Sequence, residues 1–203
     1  GYLDSLDMTL AAMAQSDDSL ESLQKAVERD PANAMRLHAL GQALGALGRH
    51  EEAFDMMQQA ADLESGNARY QEGMAHSLQA LRRYEEALET WRRAVDLEPG
   101  NAAYQDALAA ALHRAKRYEE ALAHAETAAA LEPENPAYQS GLGTVLHSLK
   151  RYEEALINKQ RAVALAPENA GYLDSLAITL HTMKRYEEAL EKSERAAEIA
   201  PEN

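Results

Sequence analysis

Cysteine is absent from the 203 residues. No disulfide framework, thiolate nucleophile or cysteine-based zinc site is therefore open to this chain. Basic residues are few: 20 Lys and Arg stand against 34 Asp and Glu, for a formal net charge of -14 and a pI of about 4.9. That balance opposes non-specific binding to nucleic acid or to an anionic membrane, whose phosphates need neutralising cations. No apolar run approaches the roughly 20 residues that span a bilayer. Gly1 to Leu10 lacks the basic segment that opens a signal peptide. The chain begins at a glycine within a repeating pattern and reads as an excised or processed product, expected in an aqueous compartment, cytoplasmic or periplasmic. A Gly-rich phosphate loop is also missing, since Gly41, Gly45 and Gly48 are spread along a helical pattern and its turn.

What is present is repetition. Arg-Tyr-Glu-Glu-Ala-Leu occurs at Arg83–Leu88, Arg117–Leu122, Arg151–Leu156 and Arg185–Leu190, with a close variant at Arg49–Phe54. Successive copies lie 34 residues apart. Leu10, Leu44, Leu78, Leu112, Leu146 and Leu180 keep that phase, as do Ala26, Ala60, Ala94, Ala128, Ala162 and Ala196. Prolines recur at Pro31, Pro99, Pro133, Pro167 and Pro201, with Ser65 in the one gap, and asparagines recur from Asn33 to Asn203. The boundary asparagine is suited to cap the helix that follows, and the preceding proline to stop the one before. Paired glutamates near the start of the second helix suit the positive end of its dipole. Small residues seven apart, such as Ala87 and Ala94, share one helical face and let a neighbouring helix approach closely. The expected unit is helix A, a short turn and helix B, with no strands.

The period, the alanine series and the boundary prolines resemble the tetratricopeptide family over the whole chain. The resemblance implies an all-α, right-handed superhelical α-solenoid of six helix-turn-helix hairpins in a single domain. Their bounds are 1–33, 34–67, 68–101, 102–135, 136–169 and 170–203. Where the family often has a tryptophan early in helix A, this chain has Leu3, Leu37, Gln71, Gln105, Gln139 and Leu173. The tyrosines beside them at positions 2, 70, 104, 138 and 172 supply aromatic bulk. The first repeat is the least regular, with Asp7 where Gly41, Ala75 or Ala109 stand later, as fits a repeat with no upstream neighbour.

The resemblance also implies that helices A line a concave groove where a peptide or partner protein binds. That face carries Asp4, His38, Glu72, Asp106, Ser140 and Asp174, with Gln42 and Thr144 between. His113, His147 and His181 form a column one to two turns further on, and His76 lies one turn back from their phase. Arg69, Gln79 and Arg114 border the surface. Acids at one rim favour a ligand bearing Lys or Arg, and the histidines are expected as solvated groove residues that tune partner preference. The lysine-and-asparagine clamp of chaperone-tail binders has no counterpart here. The asparagine ladder of glycosyltransferase-linked arrays is absent too, its places holding Ser5, Ala39, Gly73, Ala107, Gly141 and Ser175.

No catalytic constellation, cofactor motif or metal set emerges. Neighbouring helices stand about 8–10 Å apart, too far for a column of histidines to converge on a zinc–nitrogen distance of about 2 Å. His76 with Glu72 makes only two ligands. The expected function is a protein-interaction scaffold. Two alternatives are a docking or regulatory domain of a larger protein and a structural module that stacks end to end. Stacking is suggested by the identity of Gly1–Leu6 with Gly171–Leu176. Leu190, Ala197 and Ile199 would form one end face and Leu3, Leu6 and Leu10 the other. Asp7 and the net charge oppose strong association, so any head-to-tail contact is expected to be weak.

Overall fold

A computed structural model describes residues 17–201, and all of the regular structure among them is helical. Eleven helices follow one another: α1 (Asp17–Arg29), α2 (Ala34–Ala46), α3 (His50–Leu63), α4 (Ala68–Ala80), α5 (Tyr84–Leu97), α6 (Ala102–Arg114), α7 (Tyr118–Leu131), α8 (Pro136–Ser148), α9 (Tyr152–Leu165), α10 (Ala170–Thr182) and α11 (Tyr186–Ile199). The even-numbered helices are the expected helices A and the odd-numbered ones the helices B. Asp4, Asp7 and the apolar residues Leu3, Leu6 and Leu10 lie outside the described residues.

The boundaries have local causes. Each helix A opens on an asparagine with extended backbone whose side chain accepts a main-chain N–H of the first turn. Asn33 accepts from Arg36, Asn67 from Arg69, Asn101 from Ala103 and Tyr104, Asn135 from Ala137, and Asn169 from Tyr172. These caps satisfy donors that an unmodified helix end leaves open. Each helix B from α3 onward opens on an arginine instead, and here the motif has a second use. The Arg guanidinium pairs with the second glutamate of the motif three residues on: Arg83 Nε donates to Glu86 Oε1 at 2.7 Å and Arg117 Nε to Glu120 Oε1 at 2.6 Å. The same pairing recurs at Arg49–Glu52, Arg151–Glu154 and Arg185–Glu188. Its hydrogen bonds hold the Glu52, Glu86, Glu154 and Glu188 carboxyls below their ordinary range.

The turn between A and B bends through a left-handed residue. Gly48 takes it with φ of 76°, and Arg82, Lys116, Lys150 and Lys184 adopt φ near 60° at the same phase. Only Gly48 is free of the Cβ penalty that this conformation carries.

The chain divides into two compact units, Gly1–Pro99 and Gly100–Asn203. In the first, α1 packs on α2, α2 on α3, α3 on α4 and α4 on α5, and α2 also touches α4. One core cluster joins Leu20 and Leu23 to Leu40, Leu44 and Ala53. Another joins Leu37, Met57, Ala60, Tyr70 and Met74. In the second unit each helix from α6 to α11 packs on its successor, and α8 touches both α6 and α10. Leu156, Leu176, Leu180 and Ala189 form a cluster there. The alanines at Ala60, Ala94, Ala128 and Ala162 have no exposed surface, as expected of seams where helices meet closely.

Candidate functional site

Among the described residues, those that replace the expected tryptophan are buried. Leu37 and Leu173 are apolar plugs, and Gln71, Gln105 and Gln139 bring amides into the core. Two of these amides have partners: Gln139 Nε2 donates to the Pro133 carbonyl at 3.1 Å, and Gln105 Oε1 lies 2.7 Å from His124 Nδ1. The Oε1 of Gln71 is buried without a hydrogen bond. Tyr70 and Tyr104 are buried beside them, whereas Tyr138 and Tyr172 are half-buried.

Three cavities open along the helix-A faces, and each contains an acid at the same repeat position. In the first unit a cavity of about 420 Å³ lies between α2 and α4. Glu72, Arg69 and His76 line it together with His38 and Gln42, over a floor that includes Gly41 and Gly73. Met57 of α3 fills the space beside those glycines: a Cβ on Gly73 would stand 2.6 Å from Met57 Sδ, and one on Gly41 would stand 2.9 Å from Met57 Cε. In the second unit a cavity of about 260 Å³ lies between α6 and α8, with Asp106, His113 and Arg114 on one side and Ser140, Gly141 and Thr144 on the other. A third of about 770 Å³ lies over α10 and α11, with Asp174 and His181 beside Ile178, Tyr186 and Leu190. Gln79, at the end of α4, is half-buried and lines none of these three.

The histidines expected as a solvated wall differ in their surroundings. His38 is only 8% exposed; its Nδ1 lies 3.1 Å from Met57 Sδ and its ring tilts against Tyr70. His113, His147 and His181 each set their ring about 5.2 Å from the first tyrosine of the following helix B, namely Tyr118, Tyr152 and Tyr186. The column thus fastens helix A to helix B inside each hairpin. His113 Nε2 also lies 2.7 Å from Ser148 Oγ, and His147 Nδ1 lies 3.1 Å from Thr179 Oγ1, each one helix A further on. Burial lowers both of these pKa values, aided by Arg114 at His113 and by Lys159 at His147. His181 is exposed, and His76 is exposed with its ring edge-on to Trp91. Spacing alone could not separate these cases: the column rings all meet a tyrosine, and the contacts that differ, Ser148 and Thr179, come from the next helix A.

The acids differ just as much. Asp174 is exposed, Glu72 half-buried, and Asp106 half-buried with its pKa raised by loss of solvent. Lys159 of α9 escaped the sequence reading altogether. Its side chain is 4% exposed and crosses Gly143, where a Cβ would meet Lys159 Cγ at 2.7 Å. Burial brings its pKa down to about 8. Among the described residues no three His, Asp or Glu side chains gather as metal ligands. No helix among those residues is long and apolar enough to cross a membrane.

A hairpin every 34 residues, asparagine-capped helices A and seams of alanine describe one repeat type. Tetratricopeptide repeat models match residues 8–68, 73–131 and 134–202. The chain belongs to the tetratricopeptide repeat family. Neither model is that of an enzyme. Among solved structures, this tetratricopeptide chain is similar to YrrB, described as a TPR protein with an unusual peptide-binding site. The two are 21% identical with a TM-score of 0.73, over 91% of this chain and 95% of that one. It is similar also to MamA from Desulfovibrio magneticus RS-1, at 23% identity and a TM-score of 0.76, over 82% of this chain and 94% of that one. A chain of the APC/C hetero-tetramer Cut9–Hcn1 shares 18% identity with a TM-score of 0.78, covering 98% of this chain and 40% of that one. These likenesses carry the fold. Comparison with curated protein sequences finds no significant match. As a tetratricopeptide array, the chain is a protein-interaction module.

Proposed function

We propose that this module holds a peptide or partner segment rich in Lys or Arg along its helix-A faces. The observation that carries the reading is the recurrence of an acid in each of the three cavities: Glu72, Asp106 and Asp174, always at one repeat position. A carboxylate beside small or apolar lining attracts a cationic side chain and gives its methylenes a surface to cover. The net charge of -14 adds a long-range attraction for a basic partner. YrrB, a TPR protein with a peptide-binding site, supports the general mode.

The test is a selection of randomised twelve-residue peptides displayed on phage, followed by calorimetry with the winners. Winners enriched in Lys and Arg, whose affinity falls with added salt and with the triple change Glu72→Gln, Asp106→Asn, Asp174→Asn, are the expected outcome. Acidic winners, or winners indifferent to the triple change, would overturn the reading.

End-to-end association is a second reading, supported by Leu190. This residue of α11 is 59% exposed, and Ile178 and Tyr186 are exposed close by. Such an apolar face suits a contact with another helix hairpin.

A further inference from the structure

One helix-B place, at 34-residue spacing, is held by Met57, Trp91, Ala125 and Lys159. Met57 lies against glycines on both flanking helices, sixteen residues before and after it. Lys159 keeps the same offsets, lying against Gly143 and donating from Nζ to the Ser175 carbonyl at 3.0 Å. At the Ala125 position the filler is a single methyl group, and its two flanking places are Ala109 and Gly141. All three side chains are minimal, and here the cavity between α6 and α8 opens, lined by Ala109 and Gly141 themselves.

Asp106 projects across this opening. A Cβ on Gly141 would stand 2.9 Å from Asp106 Oδ1, so the carboxylate rests over that glycine and depends on its bareness. Among the described residues Asp106 forms no ion pair or hydrogen bond, yet its oxygens are not sealed from solvent. A partly desolvated carboxylate without a counter-ion is costly. Incoming positive charge relieves that cost. Two cations share the lining. His113 is held towards its neutral form by burial, with its ring engaged by Tyr118 and Ser148. Arg114 is eight residues from Asp106, about 12 Å along the helix at 1.5 Å per residue. Ser140 and Thr144 contribute only hydroxyls from α8.

We propose that this cavity is the anchor subsite for a lysine side chain of the bound partner, with Asp106 as its counter-ion. The inference rests on the reading of the helix-A face as the binding surface. A volume of about 260 Å³ falls below the roughly 300–1,000 Å³ of small-molecule pockets and suits a single side chain. Ala109, Ala110 and Val145 would cover the methylene stem. A guanidinium pairs best with both oxygens of a carboxylate, whereas an ammonium needs only one. With Oδ1 lodged over Gly141, the end-on approach of lysine is favoured.

The probe is Nα-acetyl-lysine N-methylamide, titrated into the isotope-labelled full chain and followed by NMR. Its norleucine and arginine counterparts are run in parallel. The lysine probe should shift the Gly141 amide and the Asp106 carboxyl carbon saturably, and the norleucine probe should bind at least about tenfold more weakly. Asp106→Asn, which keeps the shape and removes the charge, should weaken the lysine probe about tenfold. Gly141→Ala, which displaces Oδ1, should do the same, with unchanged helicity confirming the fold of both variants. Equal binding of lysine and norleucine, tighter binding of the arginine probe, or unaltered binding by Asp106→Asn would overturn the proposal. Failure here is separable from failure of the broader reading: displayed peptides that still bind the helix-A face of the Asp106→Asn protein sink the anchor alone. Peptides that ignore that face sink both.

Discussion

Lys159 Nζ donates to the carbonyl oxygen of Ser175, and no carboxylate joins it there among the described residues. The ammonium is buried where Met57 and Trp91 stand in earlier repeats. Its folded pKa of about 8 lies below the ordinary 10.5. Between those values the unfolded chain binds more protons than the folded one, so stability rises with pH across that window. Below about pH 8 the full penalty applies, at most about 3.5 kcal/mol for a shift of this size at about 1.4 kcal/mol per pH unit. Lys159→Met should raise stability at pH 7 and flatten the dependence between pH 8 and 10. Urea denaturation at several pH values checks both effects. A variant that is less stable at pH 7 would show that the Ser175 hydrogen bond outweighs the desolvation.

His113 and His147 shift in the same sense for the same reason. Burial holds their pKa values below the ordinary 6.5. Stability should therefore fall as pH drops below about 6.5, because the unfolded chain takes up protons first. Neither of these two residues should alter ligand affinity above the same point, since neither adds charge to the surface there. NMR titration of the imidazole carbons reads the midpoints, and His113→Gln with His147→Gln should remove part of the acid sensitivity.

The alanine seams are expected to resist enlargement. Ala94 and Ala128 have no exposed surface. Replacing either with leucine should cost about 1–3 kcal/mol through overpacking. Thermal melts check this, and unchanged melting temperatures for both variants would mean that the seams hold space for an isobutyl group.

The left-handed turn residues offer a gain. Lys116 and Lys150 have φ of 61° and 62°. Left-handed backbone costs an L-residue about 1–2 kcal/mol, which glycine avoids. The greater unfolded-state freedom of glycine takes back about 0.4–1 kcal/mol. Lys116→Gly and Lys150→Gly should each stabilise by up to about 1 kcal/mol, and Gly48→Ala should destabilise by a similar amount. Denaturant midpoints measured on the three single variants decide it.

Self-association should depend on Leu190. Sedimentation at high protein concentration is expected to reveal a weak, concentration-dependent increase in mass that Leu190→Glu abolishes. A mass that stays monomeric and ignores the substitution removes the stacking reading.

The 34-residue phase laid out the hairpins, their caps and their alanine seams, and the helices begin and end where Asn33, Asn67, Asn101, Asn135 and Asn169 indicate. The Arg–Glu pair at the start of helix B was written in the same motif, three residues apart, although the dipole was the more obvious use for its acids. The candidate site was legible only as a set of positions. Phase assigns Asp106 and Asp174 to equivalent places and treats them alike. It likewise groups His113, His147 and His181 without distinguishing the exposed one from the two whose pKa values burial lowers.

Sequence by itself determined the class of helix, its ends and its repeat, because capping, dipole and amphipathic effects act within a turn or two of the chain. Tertiary structure decided which polar groups lose their water. Asp106 is set apart by Gly141 lying beneath it, on a helix that begins 30 residues further on. Lys159 is set apart by Gly143 before it and by the Ser175 carbonyl after it. Desolvation depends on the atoms that neighbouring helices bring alongside.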